Sequence, residues 1–426
     1  MSKVNRSAVW FVPYQTKNIM STSQKRNRIL LFLIYALLLV FALAKVKENG
    51  DFIGYVNAGN LVLNQGDIYS DVFNTWPPAF SIISVPLAIV NNFSFIFVRV
   101  LWMGFMFFCF FFCIKSCLET LNKKQYTYKK LLTEVLVSPF YLLALFLCCR
   151  AFMDNIMYMQ INIVMLAACC YYIQHLDDKK TVLSSLLLGL SIGSKIYNIL
   201  LLPVAILFQK WRSVGFVLLG IGITFLLCLL VFGVQQTIDY HKHWYSEIAS
   251  IKQSIVHRNQ SLIAGLIRMF SKENLEVNNK APILDLPYST IHCIQLSIIG
   301  LLSAIYLYLF SGLVKSANRD FVFHSFLLVL TMIPVLTPVS WKANYIFTLP
   351  AFFFICHTIQ NKLSTKTVTT LFILSCLALC LSNETFIGRP AMYFLENYNV
   401  LIIGGILLFL TVLIQMEVLK QKGGYA

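Results

Sequence analysis

Apolar runs separated by short charged clusters recur along almost the whole chain. Apolar length and charged punctuation place spans at about 29–44, 95–114, 131–148, 156–174, 181–194, 196–208, 213–232, 289–313, 321–337, 343–359, 367–381 and 398–414, twelve in all. Several fall short of the ~20 residues that usually cross ~30 Å of hydrocarbon. The adjoining Thr181–Ser194 and Ile196–Phe208 runs read as short helices meeting partway, or at a thinned part of the bilayer. The pattern predicts an all-α polytopic membrane protein with both termini in the cytoplasm. No polar stretch is large enough to fold as a soluble domain with its own core, so residues 1–426 read as one integral domain.

Composition agrees with the pattern: 58% of residues are hydrophobic and only 12% charged, against roughly one-quarter charged in soluble domains. The net charge of +16 would suggest nucleic acid as a partner of a soluble chain. In a membrane chain, excess Lys and Arg belongs in the cytoplasmic loops, and 21 of the 34 cations fall there in this assignment. Nucleic acid is therefore not an expected partner. Most of the twelve cysteines lie in or at the ends of apolar runs without zinc-type spacing, and read as small core residues. Near the N-terminus, Lys25, Arg26 and Arg28 precede an apolar run ending in Ala42-Leu43-Ala44, which resembles a cleavage site. The long basic stretch before the run favours an anchor, and in either case residue 45 onward emerges outside.

Charge also decides how to read WPPAFSIISVPLAIV, residues 76–90. If this stretch crossed the membrane, the next span would carry the loop containing Lys115, Lys123, Lys124, Lys129 and Lys130 to the outside, against the positive-inside rule. With Pro77, Pro78 and Pro86, it reads instead as short helix in or dipping into the outer interface. Two outer regions, about 45–94 and 233–288, are then long enough to imply a function of their own. The site is expected between them.

The outer face offers Asp51, Asp67 and Asp71, opposite Arg150, Lys195, Lys242, Lys252, Arg258, Arg268 and Lys342. A carboxylate that accepts a proton, facing fixed cations, suits displacement of an anionic leaving group by a hydroxyl. A phosphate leaves without an acid, whereas a glycosidase needs two carboxylates flanking one bond. The chain also lacks the Asp-x-Asp common where nucleotide sugars are used. Each residue has a plainer role beside this one. Asp51, after Asn49-Gly50, could cap a helix; Asp67 and Asp71 sit in turn-like GDIYSD. Lys195 interrupts apolar sequence, where an ammonium calls for a partner or an anionic ligand. Arg268 could snorkel to the interface, and His241, His243 and His257 read as surface or core residues rather than a metal cluster.

Several motifs together resemble glycosyltransferase family 87, the polyprenyl-phosphate-dependent mannosyltransferases and their relatives. They are Asp51, Tyr55, Ala58, Gly66-Asp67-Ile68-Tyr69 and Trp76-Pro77-Pro78 in the first outer loop, then Gln160-Ile161-Asn162, then Lys195 before Leu202-Pro203. Asn259-Gln260-Ser261-Leu262 with Arg268, and Pro338-Val339-Ser340-Trp341, follow in family order. The resemblance implies a GT-C-like bundle of about 12 transmembrane helices with interfacial helices in the first outer loop. It also implies hexosyl transfer, mannose by default, from a polyprenyl-phosphate donor to a lipid-linked or glycan acceptor. That transfer takes place at the outer face of a bacterial cytoplasmic membrane, with inversion and without a metal or other cofactor.

By match of position, Asp51 is the general base and Lys195, Arg258 or Arg268 holds the donor phosphate. Gln160, Asn259 and Gln260 reach sugar hydroxyls, and the motif aromatics Tyr55, Trp76 and Trp341 fall with them on the sugar or acceptor side. One departure stands out. Many relatives carry histidine after the Ser-Trp pair, where this chain has Lys342, Ala343 and Asn344. Either Lys342 supplies the phosphate charge directly, or His257 takes the role from the other loop. A transporter or flippase of lipid-linked sugars is the competing class. No internal repeat supports it, and the polar residues gather at one face.

Overall fold

The computed structural model describes residues 22–48, 50–71, 74–249, 258–272, 283–314, 318–381 and 384–425. Every regular element among them is helical. Seven helices among the described residues are long and apolar enough to cross a membrane: Lys25–Lys45, Phe95–Asn122, Pro139–Tyr158, Trp211–Phe232, Tyr288–Val314, Arg319–Leu336 and Val400–Gln421. The chain is an integral membrane protein.

The other expected spans correspond to shorter pieces, so length alone does not reach the expected twelve. These pieces are Asn162–Gln174, Thr181–Ser194, the 3-10 turn Ile196–Leu201 running into Leu202–Leu207, the 3-10 turn Lys342–Thr348 running into Leu349–Gln360, and Lys366–Leu381. The stretch after Trp76 forms two helices, Pro78–Ile83 and Val85–Phe93, of 6 and 9 residues, each short of a crossing. Both pack against Phe52–Leu63, where a Cβ on Gly59 would stand 2.6 Å from the Ser84 carbonyl oxygen.

One span is displaced from its expected position. The run expected at 131–148 is a helix at Pro139–Tyr158, opened by Pro139 in the first turn. Arg150 and Asp154 thus lie inside a helix instead of in an outer loop. They are spaced i,i+4, with Arg150 Nε 3.6 Å from Asp154 Oδ2, so each offsets the charge of the other and the helix continues through both.

Burial separates the central helices from the peripheral ones. Arg319–Leu336 is apolar on most of its circumference and largely buried, whereas Lys25–Lys45 and Tyr288–Val314 keep most of their apolar surface on the outside of the bundle, as lipid-facing helices do. Thr181–Ser194 and Trp211–Phe232 approach closely at Gly189 and Gly220, where an added Cβ would collide with the Val217 oxygen and stand 2.6 Å from the Leu186 oxygen.

The two ends of the bundle differ in chemistry. At one, Lys123 pairs with Asp320 at 2.7 Å and Lys210 with Asp177 at 2.7 Å. There too Arg319 donates to the Gln174 carbonyl, Lys422 to that of Leu363 and Arg28 to that of Thr133. Loops far apart in sequence, all carrying the Lys and Arg assigned to the cytoplasm, are thereby tied together. The opposite end gathers Asp51, Gln160, Asn162, Lys195, Asn259 and Asn344.

Candidate active site

Asp51 is held by its backbone. The buried Arg99 guanidinium donates to the carbonyls of Val46 and Glu48 at 3.1 and 2.9 Å, fixing the chain as it leaves the first helix. Gly50 then takes φ +45°, and the Asp51 N–H donates to the Tyr158 carbonyl at 2.8 Å. A Cβ on Gly50 would lie 2.7 Å from that oxygen, so only glycine allows this approach. Asp51 stands at the N-terminus of Phe52–Leu63, yet its side chain makes no capping hydrogen bond. The carboxylate lies instead beside Gln160 and within reach of the Lys195 charge, both of which favour its ionised form. Burial raises its pKa above the usual aspartate value, with Lys195 and Gln160 acting in the opposite direction.

Gln160 and Asn162 are presented by the sharp reversal between Pro139–Tyr158 and Asn162–Gln174. Met159 is left-handed (φ 51°), the Gln160 N–H bonds back to the Asn155 carbonyl at 2.9 Å, and the Trp102 indole donates to the Met159 carbonyl at 3.0 Å. The next N–H, of Ile161, donates to the Tyr55 hydroxyl at 3.2 Å. From this corner Asn162 Nδ2 donates to Gln160 Oε1 at 2.7 Å and to Asn344 Oδ1 at 3.0 Å. Asn162 Oδ1 in turn accepts from Lys195 Nζ at 2.8 Å. The ammonium also sits 4.8 Å from the centre of the Tyr197 ring, whose hydroxyl donates to the Val339 carbonyl at 2.8 Å. Asp51, Gln160 and Lys195 therefore share one polar cluster. Asn162 and Asn344, absent from the residue assignments made on sequence, join it.

Other expected residues have different surroundings. Tyr55 and Trp76 are buried in an aromatic cluster with Phe80, with ring centroids 4.8 Å apart, supporting the Asp51 loop from beneath. Trp341 is partly exposed. The Asn259 amide joins two loops, accepting from the Ser261 and Ser340 N–H groups at 3.1 and 2.9 Å and donating to the Pro338 carbonyl at 3.0 Å. Gln260 Nε2 donates to the Glu396 carbonyl at 3.2 Å. Arg268, almost fully buried, donates to the Asn259 carbonyl and to Asn399 Oδ1, each at 2.7 Å. These three side chains hold the 259–261 turn against 338–340 and 396–399.

Lys342 forms an ion pair with the buried Glu396, and within electrostatic reach of it lie Arg150, Asp154 and Arg258. Arg258 is exposed and also faces Tyr158, whose carbonyl holds Asp51. His257 and Lys252 lie outside the described residues. The two long outer regions do meet, with the Tyr69 ring stacked 4.8 Å from His243. Asp67 accepts from the Tyr69 N–H at 3.0 Å in a side-chain turn, and Asp71 accepts from Asn57 at 3.0 Å.

A proton acceptor with raised affinity, a cradle of amides and several cations at one end of an all-helical membrane bundle define an integral membrane protein with a candidate group-transfer site. The family model of glycosyltransferase family 87 matches residues 74–338, more than half the chain, and the protein belongs to that family: it is a membrane glycosyltransferase. The match takes in Gln160, Asn162, Lys195, Arg258 and Arg268; Asp51 precedes it and Lys342 follows it. A search of curated proteins finds no match.

Proposed function

We propose that this glycosyltransferase moves a hexose, mannose by default, from a polyprenyl-phosphate donor to a hydroxyl of a lipid-linked or glycan acceptor, inverting the anomeric carbon. The observation that carries the reading is the Asp51 carboxylate, freed from capping, pinned through its backbone and directed into a polar cluster. Asp51 takes the proton of the acceptor hydroxyl as the new bond from that oxygen to the anomeric carbon forms. The bond from the anomeric carbon to the phosphate oxygen breaks on the other side, and the phosphate departs with the electron pair. No acid is needed for that leaving group; fixed positive charge suffices. Arg258, near the Tyr158 end of the site, suits this role; Lys342 lies close by but is paired with Glu396, and Arg268 serves the Asn259 turn.

Binding tests the donor class. Replacing Arg258 with Gln is expected to weaken binding of a polyprenyl-phosphate sugar at least about tenfold, the worth of a charged hydrogen bond of ~1.5–3 kcal/mol. Thermal stability should hold, because Arg258 is exposed. Equal binding of a nucleotide sugar, or unchanged donor affinity in Arg258→Gln, would overturn the assignment.

We further assign the site end of the bundle to the outer face of a bacterial cytoplasmic membrane, with both termini cytoplasmic, because the lysine-rich loops are tied together at the opposite end. A reporter fused near Lys124 should report as cytoplasmic and one near Lys272 as external. An external signal at Lys124 would reverse the orientation.

A further inference from the structure

We propose that Lys195 and Asn162 are positioning residues for Asp51: the ammonium fixes the polarity of two successive side-chain amides and so turns the Gln160 N–H toward the Asp51 carboxylate. The inference rests on the reading of Asp51 as base. An ammonium can only donate. Lys195 Nζ, 2.8 Å from Asn162 Oδ1, therefore obliges the Asn162 oxygen to face it and Nδ2 to face away. Nδ2 has two protons and two acceptors, Gln160 Oε1 at 2.7 Å and Asn344 Oδ1 at 3.0 Å. The Asn344 oxygen is kept in place because its own Nδ2 donates to the Val339 carbonyl at 3.3 Å. With its oxygen committed to Asn162, Gln160 has its amide protons left for Asp51.

The oxygen and nitrogen of an amide are nearly the same size, so packing alone does not choose between its two orientations. Gln160, Asn162 and Asn344 are all buried, which leaves the choice to the groups of fixed polarity at the ends of the chain, the Lys195 ammonium and, through Asn344, the Val339 carbonyl acting in the same sense. A reversed Gln160 would present its oxygen to the carboxylate and favour the protonated acid.

The other titratable groups facing Asp51 are the phenols of Tyr55, Tyr158 and Tyr197, with Arg258, Asp154 and Glu48 grouped around Tyr158. Phenols are neutral at ordinary pH. Among the described residues, Lys195 supplies the charge acting on Asp51. On this account Lys195 serves the base, not the donor phosphate.

Infrared titration of protein carrying isotope-labelled aspartate, with Asp51→Asn identifying the Asp51 band, reads its protonation without turnover. Asn162→Leu is the informative variant, since it breaks the amide chain and leaves the Lys195 charge in place. Lys195→Met removes the charge, and Lys195→Arg keeps a donor-only cation. Asn162→Leu and Lys195→Met should each move the Asp51 titration, and with it the acid limb of kcat, to higher pH by about one unit or more. Donor affinity should be unchanged and Lys195→Arg near normal. If Asn162→Leu does not fold, the contrast between Lys195→Met and Lys195→Arg carries the test. An unmoved Asp51 titration would overturn the proposal, as would a roughly tenfold loss of donor affinity in Lys195→Met, the mark of a phosphate ligand. A shifted Asp51 band without a shifted acid limb would keep the amide chain and remove Asp51 as the base.

Discussion

Replacing Asp51 with asparagine is expected to lower turnover by ~10²–10⁴-fold, the usual cost of losing a general base, with little change in donor affinity. Asparagine keeps the size of the side chain and the backbone bond to the Tyr158 carbonyl, but it cannot take the proton. The pH dependence of the wild type follows from the same group. Turnover requires the ionised carboxylate, so it is present above the Asp51 pKa and lost as pH falls through it. Because burial raises that pKa, the acid limb should lie above the ~3.9 of an unperturbed aspartate. Asp67→Asn and Asp71→Asn are the controls. Each carboxylate accepts a local hydrogen bond, and asparagine retains an accepting oxygen. If a folded Asp67→Asn abolished turnover while Asp51→Asn kept it, the base would have to be reassigned to Asp67.

Gly50→Ala should come close to the same loss without touching any reacting group. A left-handed backbone at a residue with a Cβ costs ~1–2 kcal/mol. The new methyl would also stand 2.7 Å from the Tyr158 oxygen and 2.8 Å from its carbonyl carbon and Cα. The 50–51 segment must then move off the end of Pro139–Tyr158, breaking the Asp51 N–H bond and carrying the carboxylate away from Gln160. A displacement of about 1 Å is enough to cost ~10²-fold in rate. The collision is confined to one residue at the end of one helix, so the protein should fold, with a stability loss of about 1–3 kcal/mol. Kinetics alongside thermal unfolding in detergent separate the two effects. Near-normal turnover in folded Gly50→Ala would mean that this close approach does not position the base.

Much of the architecture is legible in the sequence because few physical rules govern it. Long apolar runs and the placement of lysines allocate the loops to two ends, and the bonds among Lys123, Asp320, Lys210, Asp177 and Arg319 gather the lysine-rich loops at one of them. Lys195 is legible for a related reason: an ammonium within apolar sequence demands a partner, and it has Asn162. Arg150 misleads because its carboxylate partner lies one helical turn away, so a charge that reads as the end of a span sits within one.

The site is less legible. Asn259, Gln260 and Arg268 are residue types suited to sugars and phosphates, yet the same donors and acceptors suit a loop that must be tied down, and sequence names the type without the partner. Asn344 lies 182 positions from Asn162, a separation across which no local pattern operates. The Gln160-Ile161-Asn162 motif carried the signal that was available, two amides at i and i+2 on a tight reversal, but the direction of each amide depends on Lys195 and Asn344, both elsewhere in the chain.

The most direct measurement of the central claim is transfer by purified protein reconstituted in lipid. The protein would be given a panel of polyprenyl-phosphate sugars and nucleotide sugars with lipid-linked and glycan acceptors, beside the folded Asp51→Asn variant. The account predicts glycosylated acceptor and released polyprenyl phosphate in equal amounts, with an inverted linkage, from wild type only. Transfer from a nucleotide sugar, or equal transfer by Asp51→Asn, would contradict it.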